Sequence, residues 1–301
     1  MLGWRLAISA ILIPALFGLF YLDHQTGAAA PLLAAFVALI AARSAWEMGD
    51  LYAERKFAIR RPWLMLASVM IAGAAWWPAW FWPGPVLDTA PFASLGPMTL
   101  CLALWLLFFF LREAGDFQAP GKTVEALGFA TLTLGYCGVL LGVTAQLRWV
   151  AGAPAGYFVL GSVLIAAKSC DIGAYTFGRL FGKTKMAPHL SPGKTWAGAG
   201  GGIATATVAT WAWLRFVPPM FNTDWGGSPH GYACAYGAIV GLAGMLGDLC
   251  ESLLKRDAGK KDSAALFPGF GGLLDLVDSV LFAGPVAYLL WVWWPLAEWQ
   301  K

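Results

Sequence analysis

The chain has 301 residues, of which 59% are hydrophobic and 12% charged, with a mean hydropathy of +0.64 and a formal charge of +3. A water-soluble domain carries about twice that share of charge, so lipid must be the solvent for most of this chain. The small net charge, with its basic residues confined to particular loops, excludes a nucleic-acid binder, and five cysteines without a CxxC pair favour neither a disulfide framework nor a zinc site.

Apolar runs near 20 residues predict transmembrane helices at roughly 5–22, 27–46, 62–82, 95–111, 124–146, 153–172, 197–217, 231–250 and 273–296. The expected fold is therefore an all-α polytopic bundle of about nine transmembrane helices. The first run follows Arg5 and lacks a small-residue cleavage site, so it is expected to be a retained helix and not a signal peptide.

Taking the connections alternately, one side receives Arg5, then Arg43, Arg55, Lys56, Arg60 and Arg61, then Arg112 and Lys122. The same side then receives Arg179, Lys183, Lys185 and Lys194, followed by Lys255, Arg256, Lys260 and Lys261. Only Arg148, Arg215 and Lys301 fall on the other. Cytoplasmic loops collect Lys and Arg, so the N-terminus is expected in the cytoplasm, in a membrane of the bacterial inner (plasma) type. The segment from Arg43 to Arg61 reads as a basic loop that fixes topology, with a surface helix on anionic headgroups as the alternative.

The two halves differ. Residues 1–150 read as a scaffold of transmembrane helices facing lipid and open to pairing with a second copy; residues 151–301 carry acids inside or at the rim of three spans. A carboxylate at membrane depth costs about 2.5–3.5 kcal/mol on insertion scales, so the second half is where function is expected.

Span six ends with Lys168, Asp171, Ile172 and Tyr175 on one helical face, which suits either an intramembrane ion pair or a catalytic group. The following loop, from Gly178 to Trp196, holds Arg179, Lys183, Lys185 and Lys194 with the hydroxyls of Ser191 and Thr195, a mixture suited to a polyphosphate. Gly193-Lys194-Thr195 is not a Walker motif, because Pro188 stands where that motif needs its first glycine. Gly198 and Gly202 form a small-xxx-small pair expected to pack helices closely. Span eight ends with Asp248, Glu251, Ser252 and Lys255 on one face, and span nine opens with Asp275, Asp278 and Ser279 on one face. Carboxylates from two such helix ends can hold one hard cation, with water and substrate phosphates completing a Mg²⁺ shell.

From Ser252 to Ser279 the string SLLKRDAGKKDSAALFPGFGGLLDLVDS closely resembles the signature of phosphatidate cytidylyltransferases, the membrane enzymes that make CDP-diacylglycerol. The strings DIGAYTFGRLFGKTKMAPHLSPGKTWAG and GDLCESLLKR resemble that family in the same order, so the likeness is strong over about residues 165–280. The resemblance implies transfer of a cytidylyl group from CTP to phosphatidate or a similar lipid phosphate, with pyrophosphate leaving, on the cytoplasmic side and among membrane lipids. It implies Mg²⁺, to which a second cation can be added. Carried over by position, Asp248 and Asp275 resemble the metal-site aspartates, with Asp171 and Asp278 as supporting acids and Asp278 as a further ligand. Lys194, Lys255, Arg256 and Lys261 resemble phosphate-binding cations, alongside Arg179, and Ser191, Thr195 and Ser252 resemble hydroxyl partners. The chain departs from the pattern at Phe270, usually His, at Leu276, usually Arg, and at Gly193, usually Lys. These departures keep open a family member acting on another lipid phosphate. The rival expectation is a carrier that uses Asp171, Asp248 and Asp275 as an ion path.

Overall fold

The structure, a computed structural model, describes residues 2–53, 60–81, 92–118, 120–152, 155–221, 230–266, 271–294 and 296. Arg55 and Lys56 of the basic segment, and Phe270, Pro268, Gly269 and Lys301, lie outside the described residues. Its long elements are helices: α1 Leu2–Gln25, α2 Pro31–Leu51, α3 Arg61–Ala74, the short α4 Trp77–Phe81, α5 Leu95–Gly115 and α6 Thr123–Gln146. There follow α7 Gly156–Phe181, an antiparallel hairpin of β1 Lys185–Ala187 and β2 Ser191–Thr195, then α8 Trp196–Phe216, α9 His230–Asp257 and α10 Leu273–Trp293.

Six helical segments among the described residues are long and apolar enough to cross a membrane: Gly27–Leu51, Leu95–Gly115, Thr123–Gln146, Gly156–Phe181, His230–Asp257 and Leu273–Trp293. Ala10–Gln25 and Arg61–Ala74 are shorter apolar helices. The all-α membrane class expected from composition therefore holds, with a small β element added. Two helices outrun their apolar stretches. α7 has 26 residues and α9 has 28; at about 1.5 Å per residue they reach roughly 39 and 42 Å, beyond a hydrocarbon core of about 30 Å. Their polar ends thus remain helical, and the acids of GDLCESLLKR ride on a rigid rod, not on a loop.

The chain divides into two compact units, Met1–Ala145 with Ala258–Leu276, and Gln146–Asp257 with Val277–Lys301. In the first, Asp23 at the end of α1 accepts a hydrogen bond from the Leu32 backbone N–H at 2.7 Å and so ties down the start of α2. Trp76 donates from Nε1 to the Ala30 carbonyl at 3.2 Å, which satisfies an indole otherwise fully buried. α6 is wound more loosely over Leu134–Leu140, where Gly138 lies against Ile71 and Ser68 of α3.

In the second unit α7, α8 and α9 meet through small residues. A methyl group at Gly202 would stand 2.8 Å from the Cys170 carbonyl and 3.1 Å from Ala174 Cβ, and one at Gly198 would stand 2.7 Å from the Ala174 carbonyl. The small-xxx-small pair packs helices as its spacing predicts. Cys170, Ala199, Ala206 and Met245 form the buried cluster at this crossing, and all five cysteines are free thiols. Tyr236 Oη lies 2.7 Å from Ser162 Oγ and accepts from Trp291 Nε1 at 3.1 Å, so this fully buried phenol is satisfied within the unit. Gly202→Val should destabilise the protein by about 1–3 kcal/mol through overpacking. Gly200→Ala, where no atom lies within 4 Å, should be neutral or slightly stabilising; thermal unfolding of both variants in detergent checks the contrast.

Candidate active site

The acids of the second unit come from three helices. Asp248 and Glu251 sit one turn apart on α9, Asp278 belongs to the first turns of α10, and one carboxylate oxygen from each lies within 4.8 Å of the others. Glu251 is 0% and Asp278 5% exposed, while Asp248 is half-open. Three hard oxygen donors in so small a space fit a Mg²⁺-sized cation, which keeps water and substrate oxygens for its remaining positions. Like charges this close repel unless cations stand beside them, and lysines do. Lys194 Nζ is 2.9 Å from Asp248 Oδ2 and donates to the Met245 carbonyl at 3.2 Å. Lys255 Nζ is 2.6 Å from Glu251 Oε2, one helical turn on.

A second pair flanks the cluster on α7. Lys168 Nζ lies 3.3 Å from Asp171 Oδ2 and donates to Ser279 Oγ at 2.9 Å, while Ser279 Oγ lies 3.3 Å from the same Asp171 oxygen. The ion pair expected from the i, i+3 spacing is therefore present and is tied to α10 by a hydroxyl. Ile172 and Tyr175, on the same face, are exposed, which suits a helix side turned to lipid. Arg179 is exposed and donates to Tyr175 Oη at 3.2 Å.

The segment expected to be a phosphate-binding loop is the β1–β2 hairpin, with Lys185 opposite Thr195 and Ala187 opposite Ser191. Pairing satisfies backbone groups that a bare loop at a membrane boundary would leave without partners; three to five residues are too few to show a strand period in sequence. Gly193-Lys194-Thr195 lies within β2, away from any phosphate loop. Thr195 is the N-cap of α8, its Oγ1 accepting from Gly198 N at 3.1 Å. Arg256 donates from Nε to the Leu190 carbonyl at 3.1 Å and so holds the hairpin tip to the end of α9. Ser252 is buried beside Lys255 on α9, and Ser191 is half-buried at the start of β2.

Asp275 and Lys261 belong to the first unit. Asp275 Oδ2 accepts from Gly272 N at 2.7 Å, Ser263 N at 2.9 Å and Ser263 Oγ at 2.7 Å, a cap on the first turn of α10. Lys261 is exposed in the connection before it. Several members of these networks lie outside the residues expected from the signature, among them Ser263 and Glu47, whose Oε2 accepts from Ser263 Oγ at 2.8 Å. Glu251 was legible as the i+3 neighbour of Asp248 and the i−4 neighbour of Lys255. Ser279 shares the Asp275 face. Glu47, on α2, lies far from every signature string, and its signal was an acid four residues after Arg43 in an apolar run.

Carboxylates matched by lysines at the ends of long apolar helices define a multi-pass membrane protein equipped for phosphate chemistry. The comparison with known families narrows this class. The family described as "Cytidylyltransferase family" matches residues 4–294, and the chain belongs to it, which makes it a nucleotidyltransferase by family. The phosphatidate cytidylyltransferase of Haemophilus influenzae is 43% identical over 186 residues, 61% of this chain and 62% of that protein, so the match spans less than two thirds of that relative. The protein YnbB of Escherichia coli, described as uncharacterized, is 33% identical over 199 residues, 62% of this chain and 63% of its own. The phosphatidate cytidylyltransferase of Pseudomonas aeruginosa is 30% identical over 295 residues, 97% of both chains. Its helices and these bacterial relatives make the chain a multi-pass membrane protein of bacterial type.

Lys255→Met removes the ammonium beside a fully buried carboxylate and should destabilise the protein by about 3–5 kcal/mol. Adding Glu251→Gln should recover most of that loss, and chemical denaturation of the single and double variants measures it.

Proposed function

We propose that the protein is a CTP:phosphatidate cytidylyltransferase that makes CDP-diacylglycerol and pyrophosphate in a Mg²⁺-dependent reaction. The observation that supports it most is the coincidence, in one compact unit, of the Asp248, Glu251 and Asp278 cluster with Lys194 and Lys255, on the strings that resemble the family signature. A phosphate oxygen of the lipid attacks the α-phosphorus of CTP; the new P–O bond forms as the bond to the bridging α–β oxygen breaks, and the electron pair leaves with pyrophosphate. Such transfers depend on positioning and on neutralising charge.

Asp248 and Asp278, with Glu251, would hold Mg²⁺ in this reading, and Asp275 enters as the further aspartate of the signature. When bound, the ion supplies charge neutralisation on the triphosphate. Lys194 and Lys255 hold the carboxylates now and would turn toward phosphate oxygens as the nucleotide arrives. Arg256, Lys261 and Arg179 add positive charge for the triphosphate and lipid phosphate, Ser191, Thr195 and Ser252 line the approach, and Asp171 holds Lys168 in place. The reading includes nine spans, a cytoplasmic N-terminus, a site reached from the inner leaflet and pairing of two copies through the N-terminal helices.

A second reading, another lipid phosphate as acceptor, is favoured by Phe270 and Leu276 in place of the usual histidine and arginine. Purified chain given α-labelled CTP and phosphatidate should form labelled CDP-diacylglycerol only with Mg²⁺. Asp248→Ala should lower turnover by on the order of 10²-fold or more, and Asp278→Asn should raise the Mg²⁺ concentration needed for half-maximal rate. Turnover with another lipid phosphate but not phosphatidate would select the second reading; substrate uptake into vesicles without CTP conversion would select a carrier.

A further inference from the structure

Glu47 has no part in the reaction as proposed, yet it is heavily engaged within the first unit. It is fully buried on α2, and Arg43 Nε lies 2.9 Å from its Oε1. Oε1 accepts from Leu273 N at 2.9 Å, and Oε2 accepts from Leu274 N at 2.9 Å and from Ser263 Oγ at 2.8 Å. It therefore caps the first turn of α10 from 226 residues away in sequence. A local Ser, Thr, Asn or Asp is the usual cap and needs no buried charge, so stabilising the helix end does not by itself explain a glutamate drawn from α2.

The same Ser263 hydroxyl lies 2.7 Å from Asp275 Oδ2. One hydroxyl has one proton to donate, so Glu47 and Asp275 share it; with the backbone N–H groups of Gly272 and Ser263 this hydroxyl holds Asp275 Oδ2, and Glu47 acts on that carboxylate through the shared proton and through the position of Ser263. The paired glycines carry an independent mark of this arrangement. Gly271 has φ +94, which L side chains rarely adopt, and a Cβ there would close on the Asp275 carboxylate. A Cβ on Gly272 would run into Ser263 Oγ and Glu47 Oε2. Glycine is needed at 272 because the glutamate and the serine come that close.

We infer that Glu47 is a positioning residue for the reaction, fixing the Asp275 carboxylate through Ser263. The inference rests on the function proposed above, in which Asp275 serves the metal and nucleotide site. The test uses the full chain in detergent, as wild type, Glu47→Gln, Ser263→Ala and the double variant. It reads turnover of CTP and phosphatidate, Mn²⁺ binding by electron paramagnetic resonance without substrate, and thermal unfolding. Supporting groups behind metal ligands are worth roughly 10–100-fold, so each single variant should lose about tenfold or more in kcat and bind Mn²⁺ correspondingly more weakly, with KM for CTP little changed. The double variant should be no worse than the poorer single, because both changes act on the same carboxylate.

Wild-type kcat and Mn²⁺ binding in Glu47→Gln, or losses that multiply in the double variant, would overturn the inference. Should Glu47→Gln fail to fold, Ser263→Ala decides alone: it leaves the Glu47 bonds to Leu273 and Leu274 intact, and unchanged Mn²⁺ binding in it overturns the proposal. A wild type that binds Mn²⁺ without converting CTP would remove the function reading, while the Mn²⁺ comparison among the variants would still judge the role of Glu47.

Discussion

A carboxylate placed at the end of a membrane helix has to find positive charge or donors inside the protein, because lipid offers neither. Four acids obey this constraint in a recognisable way. Asp171 is matched by Lys168, Asp248 by Lys194 and Glu251 by Lys255, and in the first unit Glu47 is matched by Arg43 and backbone N–H groups. The lysines are thus structural and available at once. An ammonium on a flexible stem can hold a carboxylate now and move to a phosphate oxygen when one is offered.

That constraint also accounts for the long helices. α7 and α9 carry charged residues inside or at the rim of their apolar stretches, where the i, i+3 pair Lys168–Asp171 and the i, i+4 pair Glu251–Lys255 match charge on the helix itself. The close crossings at Gly198 and Gly202 bring α8 against α7 at Cys170, Ala174 and Gly178, next to Asp171. The small β1–β2 hairpin then supplies Lys194 from a paired backbone, which places the ammonium more definitely than an open loop of the same length would.

Much of the site was legible locally. Asp248, Glu251 and Lys255 share a helical face by spacing alone, and Lys168 with Asp171 reads as an ion pair at i, i+3. The hairpin was not legible, because two short strands leave no period and because Pro188, Pro192 and Gly193 read as loop residues. The capping work of Thr195 and Asp275 was hidden for a different reason: in both, a side chain suited to ligand binding is used by the backbone next to it. The paired glycines before α10 read as a signature feature without a cause; Glu47 and Ser263 supply one.

By itself, the sequence determined the solvent, the helical class, the family and the strings in which the chemistry resides, because hydropathy, lysine and arginine bias and motif spacing are properties of consecutive residues. Only tertiary structure decided that Glu251 joins Asp248 and Asp278, that Lys194 answers Asp248, and that a glutamate on α2 ends up holding the first turn of α10. Between helices those pairings join residues from 27 to more than 200 positions apart, and nothing in a linear pattern records which buried charge will meet which partner once the helices pack.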